Sequence, residues 1–243
     1  MQNKLLIRAS SVGRLMTEPK EKAKKEVGEL GDTAKALMRE IWLFNEFGYS
    51  EDVYTKQMLK GHLCEQDSIG LVQEVLGGEF RMKNTQAFQN EYSSGHPDIV
   101  LKQEDYIEDT KTSYNLRTFL EAGIDKNYEW QGQDYMWLTG KKNFRLIYCL
   151  VPTPDEIILE EKKSFWYKFG CDETNQDYID ISMQIDHNND IIRKIPPEKR
   201  IKVFEFEYSE EKTEKFLIQY EKAKRYYDTL ELKSYEPKLQ FAL

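Results

Sequence analysis

The chain has 243 residues, enough for one large domain or a core with insertions. Hydrophobic residues make up 40% and charged residues 32%, and no window reaches the apolar length that spans a bilayer. The formal net charge of −8 argues against a protein that coats nucleic acid with its whole surface, but it leaves room for a local basic groove.

The apolar part of the opening residues, Met1 to Arg8, is too short for a secretory signal, so a cytoplasmic location (a bacterial or phage-infected cell) is expected. After a short opening segment, Ile7 to Met16, a Lys/Glu-rich stretch begins at Pro19. Apolar residues then recur at helical spacing through Ala34, Leu37, Met38, Ile41, Trp42 and Leu43 towards Gly48. A second helix reads from about 52 to 76, stopped by Gly77-Gly78 and broken around Gly61. The period then changes. Phe80 to Phe88, His96 to Leu101 and Tyr106 to Lys111 are short β-type runs, with Ser93-Ser94-Gly95 and Lys102 to Asp105 as turns.

A helix from about Leu116 to Leu138, closed by Gly140, precedes the apolar run Phe144 to Val151, a central strand stopped by Pro152 and Pro154. Residues 155–200 are polar and read as a peripheral insertion. The last strong element is a helix over about 209–232, with Phe216, Leu217, Tyr220, Ala223, Tyr227 and Leu230 on one face. Helix, three strands, helix, strand predicts an α/β layer with a mixed sheet. Cys64, Cys149 and Cys171 form no CxxC, so they suggest buried thiols rather than a zinc site, an iron–sulfur cluster or a disulfide.

Three groups of residues carry chemistry. In Pro97-Asp98 followed by Asp109-Thr110-Lys111, alternation puts Asp109 and Lys111 on one face, about 7 Å apart at Cα, with Glu108 and Thr110 on the other. A hairpin would bring Asp98 beside Asp109 and Lys111: a hard-cation site with an ammonium next to it, as phosphodiester cleavage requires. Taken alone, the same residues describe a surface hairpin with a salt bridge.

The second group is Gly61 with Glu65 on the preceding helix, where a glycine one turn earlier would permit a close approach that seats Glu65 against the sheet; alone, Glu65 reads as a solvated carboxylate. The third is Gln131 with Tyr135, i and i+4 on one helix face, uncharged groups suited to holding a phosphate or a water. The bland alternative is a core stripe with a satisfied tyrosine, and Trp130, Met136, Trp137 and Leu138 read as core.

In this order, Glu65, Pro97-Asp98, Asp109-Thr110-Lys111 and Gln131-x-x-x-Tyr135 resemble the PD-(D/E)XK nuclease superfamily, and more narrowly the lambda exonuclease and YqaJ-like viral recombinase family. The run from Trp130 to Gly140 is similar to that family, as is the opening Arg8-Ala9-Ser10-Ser11 followed by a helical stretch leading to Lys60-Gly61. The motifs cover about residues 5–151.

The resemblance implies a restriction-endonuclease-like core in a single nuclease domain over 1–243, and a deoxyribonuclease, most simply a 5′→3′ exonuclease on double-stranded DNA ends in phage-type recombination. It implies one or two Mg²⁺ ions, with Mn²⁺ able to substitute, held by Glu65, Asp98, Asp109 and the Thr110 carbonyl. Lys111 would orient or help deprotonate the attacking water, and Gln131 and Tyr135 would hold the phosphate and water network. Arg8, Ser10, Ser11 and Arg117 would receive a terminal 5′-phosphate, although Arg8 and Ser10 could equally cap or pack a helix. His96 departs from the small residue usual before Pro-Asp. A trimeric ring around DNA and a single-strand annealing protein are the implied partners. An endonuclease of the same superfamily and a non-catalytic DNA-binding protein that keeps the fold are the alternatives. The chain has no G-x-x-x-x-G-K-[ST] motif, so no ATP motor is expected.

Overall fold

The computed structural model describes residues 5–51 and 54–232. They fall into two compact units: Leu5 with 14–51 and 214–232, and 6–13 with 54–213. In chain order, β1 (Ile7–Arg8) passes through a 3-10 turn, Ala9–Ser11, into the one-turn helix α1 (Val12–Leu15). Next come α2 (Lys22–Glu26) and α3 (Asp32–Phe47), the latter closed by left-handed Gly48 as anticipated.

The helix expected over 52–76 is two helices, α4 (Lys56–Leu63) and α5 (Glu65–Leu76), and Asp52 and Val53 lie outside the described residues. The break falls at Cys64 rather than Gly61, and it makes Glu65 the first residue of α5. Lys60, fully buried, anchors α4 by donating to the Tyr114 and Val151 carbonyls at 2.8 and 2.9 Å.

β2 (Phe88–Gln89), β3 (Ser93–Gly95), β4 (Ile99–Val100) and β5 (Tyr106–Thr112) follow. Two expectations are corrected here. Most of the run Phe80 to Phe88 is not strand, and Ser93-Ser94-Gly95 is a strand rather than a turn. The turn lies just before it, where Asn90 Oδ1 accepts from the Tyr92 and Ser93 amides at 2.8 Å each. The long helix expected over 116–138 is likewise divided into α6 (Leu116–Glu121) and α7 (Lys126–Thr139). Asn115 and Thr118 form a capping box on α6, and Asp125 caps α7.

β6 (Asn143–Cys149) is the expected central strand. The stretch read as a peripheral insertion contains two long helices, α8 (Asp155–Lys168) and α9 (Gln176–Lys194). Its end is tied to the core: Ile192 packs with Phe119 and Leu150, and Asn189 bonds both the amide and the carbonyl of Thr153, at 2.7 and 3.0 Å. β7 (Ile201–Glu207), missed in the sequence, leads to α10 (Glu210–Tyr227).

The larger unit holds two sheets. One is small, ordered β1-β3-β2; the other is a four-stranded mixed sheet, β4-β5-β6-β7, antiparallel, parallel and antiparallel in turn. α5 covers one face, where Leu71 and Val72 pack on Ile147 and Cys149. α7 covers the other, with Tyr135 and Met136 against Ile107, Phe144 and Leu146. A Cβ at Gly132 would overlap the Phe144 ring, so only glycine lets α7 approach this closely.

The smaller unit packs the Phe216, Tyr220, Ala223 and Tyr227 face of α10 as expected, and Asn45 donates to the Tyr227 hydroxyl at 3.0 Å. Of the cysteines, Cys64 and Cys149 are buried, but Cys171 is exposed. No helix among the described residues is long and apolar enough to cross a membrane.

Candidate active site

β4 and β5 pair in the register Ile99↔Glu108, which sets Asp98 opposite Asp109, as the hairpin required. The Leu101 amide donates to the Tyr106 carbonyl at 3.2 Å, so the hydrogen-bonded pairs of this ladder fall at 101/106, 99/108 and next at 97/110. Residue 97 is proline. It has no hydrogen to offer the Thr110 carbonyl, and the Asp98 carboxylate takes the Thr110 amide at 2.8 Å and the hydroxyl at 3.1 Å. The regular ladder thus stops at Pro97, beside two carboxylates. Pro-Asp is the device that opens the sheet here.

Asp109, 2% exposed, pairs through Oδ2 with the Lys111 ammonium; that oxygen has no other hydrogen-bond donor. Burial alone would depress the Lys111 pKa, but the charges of Asp109 and Asp98 outweigh it and hold the pKa above its usual value. The Lys111 ammonium also lies 4.8 Å from the centre of the Tyr128 ring. Asp98 is pushed up to about 7, mainly by burial, then by Asp109 and in lesser part by Glu65; Lys111 and the Thr110 amide act against the rise.

Glu65 is near enough to add to the rise of Asp98 but has an ammonium of its own. Its carboxylate pairs with Lys83, and among the described residues no three His, Cys, Asp or Glu side chains are gathered so as to hold a metal ion as they stand. The role read into Gly61 is also corrected. An added Cβ there would meet nothing within 4 Å, so the close approach belongs elsewhere, and the helix break at Cys64 is what places Glu65.

Gln131 and Tyr135 share a face of α7 and are both buried, as read, but they bond each other. Gln131 Nε2 donates to the Tyr135 hydroxyl at 2.8 Å, and that hydroxyl donates to the His96 carbonyl at 3.3 Å. The tyrosine proton is therefore spent on steadying the segment between β3 and β4 that carries Pro97 and Asp98. Gly95 permits this, since a Cβ there would press on the Tyr135 ring. His96 Nε2 donates to the Asn84 carbonyl at 3.1 Å.

Arg8, Ser10 and Ser11 lie in β1 and the following turn, which packs on α7; Ala9 between them joins the cluster around Tyr135. Arg8 and Ser10 are exposed and Ser11 is half-buried. Arg117 is exposed on α6 and paired with Glu121 of its own helix at 3.0 Å.

Several supports were not visible in the sequence. Glu108, on the opposite face from Asp109, is fully buried between Arg81 (2.7 and 3.0 Å) and Arg145 (3.0 Å). Asp134, also buried, accepts from Ser93 at 2.8 Å, and burial pushes it up to about 7. Lys83 and Asn84 carried no pattern that would single them out. The Asn90 turn was the one local signal available in the sequence that could have placed β3.

A mixed sheet with helices on both faces, a Pro-Asp that opens a β ladder and an acid-x-lysine on the neighbouring strand define a restriction-endonuclease-like nuclease fold. The comparisons agree. A phage-related exonuclease from Haemophilus somnus 129PT is 30% identical, with a TM-score of 0.73, over 93% of this chain and 95% of that one. An alkaline exonuclease from Laribacter hongkongensis has the same fold, with a TM-score of 0.60 at 13% identity over 92% of this chain and 88% of that one. No protein-family model matches the chain, and none of the curated proteins does. The chain belongs to the lambda-exonuclease-like, YqaJ-type family of phage-related exonucleases, and it is an exonuclease.

Proposed function

We propose that this protein is a Mg²⁺-dependent exonuclease that degrades double-stranded DNA from its ends in the 5′→3′ direction. The observation that carries the reading is the interrupted ladder at Pro97, which leaves the Thr110 carbonyl, Asp98 and Asp109 Oδ2 as oxygen donors beside one ammonium. That donor set fits a hard divalent cation. Asp98, Asp109 and the Thr110 carbonyl would hold it, with Glu65 joining from α5. When bound, such a cation supplies an activated water and offsets charge on the phosphate.

The chain's own residues do the rest. The carboxylates around Lys111 keep it protonated, which favours orienting the water and offsetting phosphate charge over acting as its base. Tyr128 flanks the ammonium on one side and Asp109 on the other. Gln131 and Tyr135 hold the Pro97-Asp98 segment in register rather than supplying a free hydroxyl. Arg8, Ser10 and Ser11, placed by the turn against α7, are the proposed receivers of a terminal 5′-phosphate; Arg117 would have to leave Glu121 to join them. By family resemblance, the working form is a trimeric ring and the product strand passes to a single-strand annealing protein.

The test is a duplex labelled at either end, with and without 5′-phosphate, set beside closed-circular DNA, in Mg²⁺ or EDTA. Loss of mononucleotides from phosphorylated 5′ ends in Mg²⁺ alone is the expected result. Nicking of the closed circle would make the enzyme an endonuclease, and release from 3′ ends would reverse the polarity.

A further inference from the structure

Lys83 sits on a segment fixed at both ends. Arg81 is buried in the larger unit, paired with Glu108 and bonded to the Gly77 carbonyl at 2.6 Å. Asn84 is fastened to the Pro97-Asp98 strand by three bonds: its amide to the Asp98 carbonyl at 2.6 Å, its side chain to the Pro97 carbonyl at 3.0 Å, and its carbonyl to His96. Met82 between them points outward, and Lys83 turns to the Glu65 carboxylate. Glu65 is in turn fixed as the first residue of α5. Two clamped backbones therefore present this ammonium to the Glu65 carboxylate. An ordinary surface pair would lack such anchoring.

We propose that Lys83 is the counter-ion of the ion-free site: it holds Glu65 while no divalent cation is present, and a cation displaces it when Glu65 joins Asp98 and Asp109. This rests on the metal reading given above. Each lysine then neutralises one acid, Lys111 on Asp109 and Lys83 on Glu65, which offsets the repulsion among the carboxylates. The exchange is feasible because a partly exposed ion pair is weak, and a divalent cation gains far more from several carboxylates.

The competition has a sign. Removing the ammonium should tighten divalent-cation binding, whereas removing a structural support would weaken it. Mn²⁺ titrations of the DNA-free protein, followed by the signal of free Mn²⁺, read this without any turnover. Lys83→Met should lower the Mn²⁺ Kd by about two- to fivefold, from the usual strength of exposed pairs. Lys83→Arg should stay near wild type. In a Glu65→Gln background the Lys83→Met change should have no effect, which separates competition at Glu65 from a general charge effect. A Kd in Lys83→Met equal to or weaker than wild type overturns the inference, as does equal tightening in the Glu65→Gln background. Wild-type protein that binds no Mn²⁺ removes the metal site itself, and this proposal with it.

Discussion

Asp98 is the residue on which the site's pH behaviour turns. Its folded pKa of about 7 lies above that of an unfolded aspartate, so the folded, ion-free protein binds this proton more tightly than the unfolded chain. The stabilising contribution is complete below the unfolded value, near 4, and is lost as pH rises through about 7; Asp134 adds a loss of the same sign. In EDTA, the melting temperature of wild type should fall relative to Asp98→Asn between pH 5 and 8, and Mg²⁺ should reverse much of the fall. Parallel pH curves for the two proteins would remove Asp98 from this role. Single residues were the most legible scale in the sequence. Alternation along one strand placed Asp109 and Lys111 together and sent Glu108 to the far face. Lys83 was not legible, because an exposed lysine in a loop carries no pattern until its neighbour Asn84 is seen to be anchored on the Pro97 carbonyl.

Elements show why the site sits where it does. β5 is shared by two chemistries: its Asp109 face carries the proposed site, while its Glu108 face is a buried ion-pair network with Arg81 and Arg145. A carboxylate at 108 thus fixes both β5 and the segment that leads to Lys83. Glu108→Ala would strand the 2%-exposed Arg81 side chain, and losing one partner of a buried pair costs about 3–5 kcal/mol. Urea unfolding should register that loss; a change below about 1 kcal/mol would mean the arginines find other partners. Helix and strand periods located most elements, but four features were hidden. The break at Cys64 goes with that residue's burial, the break after Ala122 lies among exposed residues and ends at the Asp125 cap, β7 is held by its pairing with β6, and β3 follows the turn made by the Asn90 side chain. Residues 155–200 read as an insertion because α8 and α9 bury few side chains, so their apolar period is faint.

At the scale of the molecule, the proposed site of three acids and two lysines on an acidic chain would need a cation before a polyanion could approach. Family membership was legible because its motifs lie on the strands and helix that build the site, and the H. somnus exonuclease aligns over nearly the whole chain. The two-unit division was not, since no linker composition marks it. The central claim is that Asp98, Asp109 and the Thr110 carbonyl hold a divalent cation beside a protonated Lys111, and that cleavage depends on both. Digestion of 5′-phosphorylated linear duplex by wild type, Asp109→Asn and Lys111→Met, each in Mg²⁺ and in EDTA, tests it most directly. Degradation by wild type in Mg²⁺ alone, with both variants folded and reduced at least about 100-fold, is the predicted result. Wild-type activity that survives EDTA, or either variant digesting duplex at the wild-type rate, would contradict it.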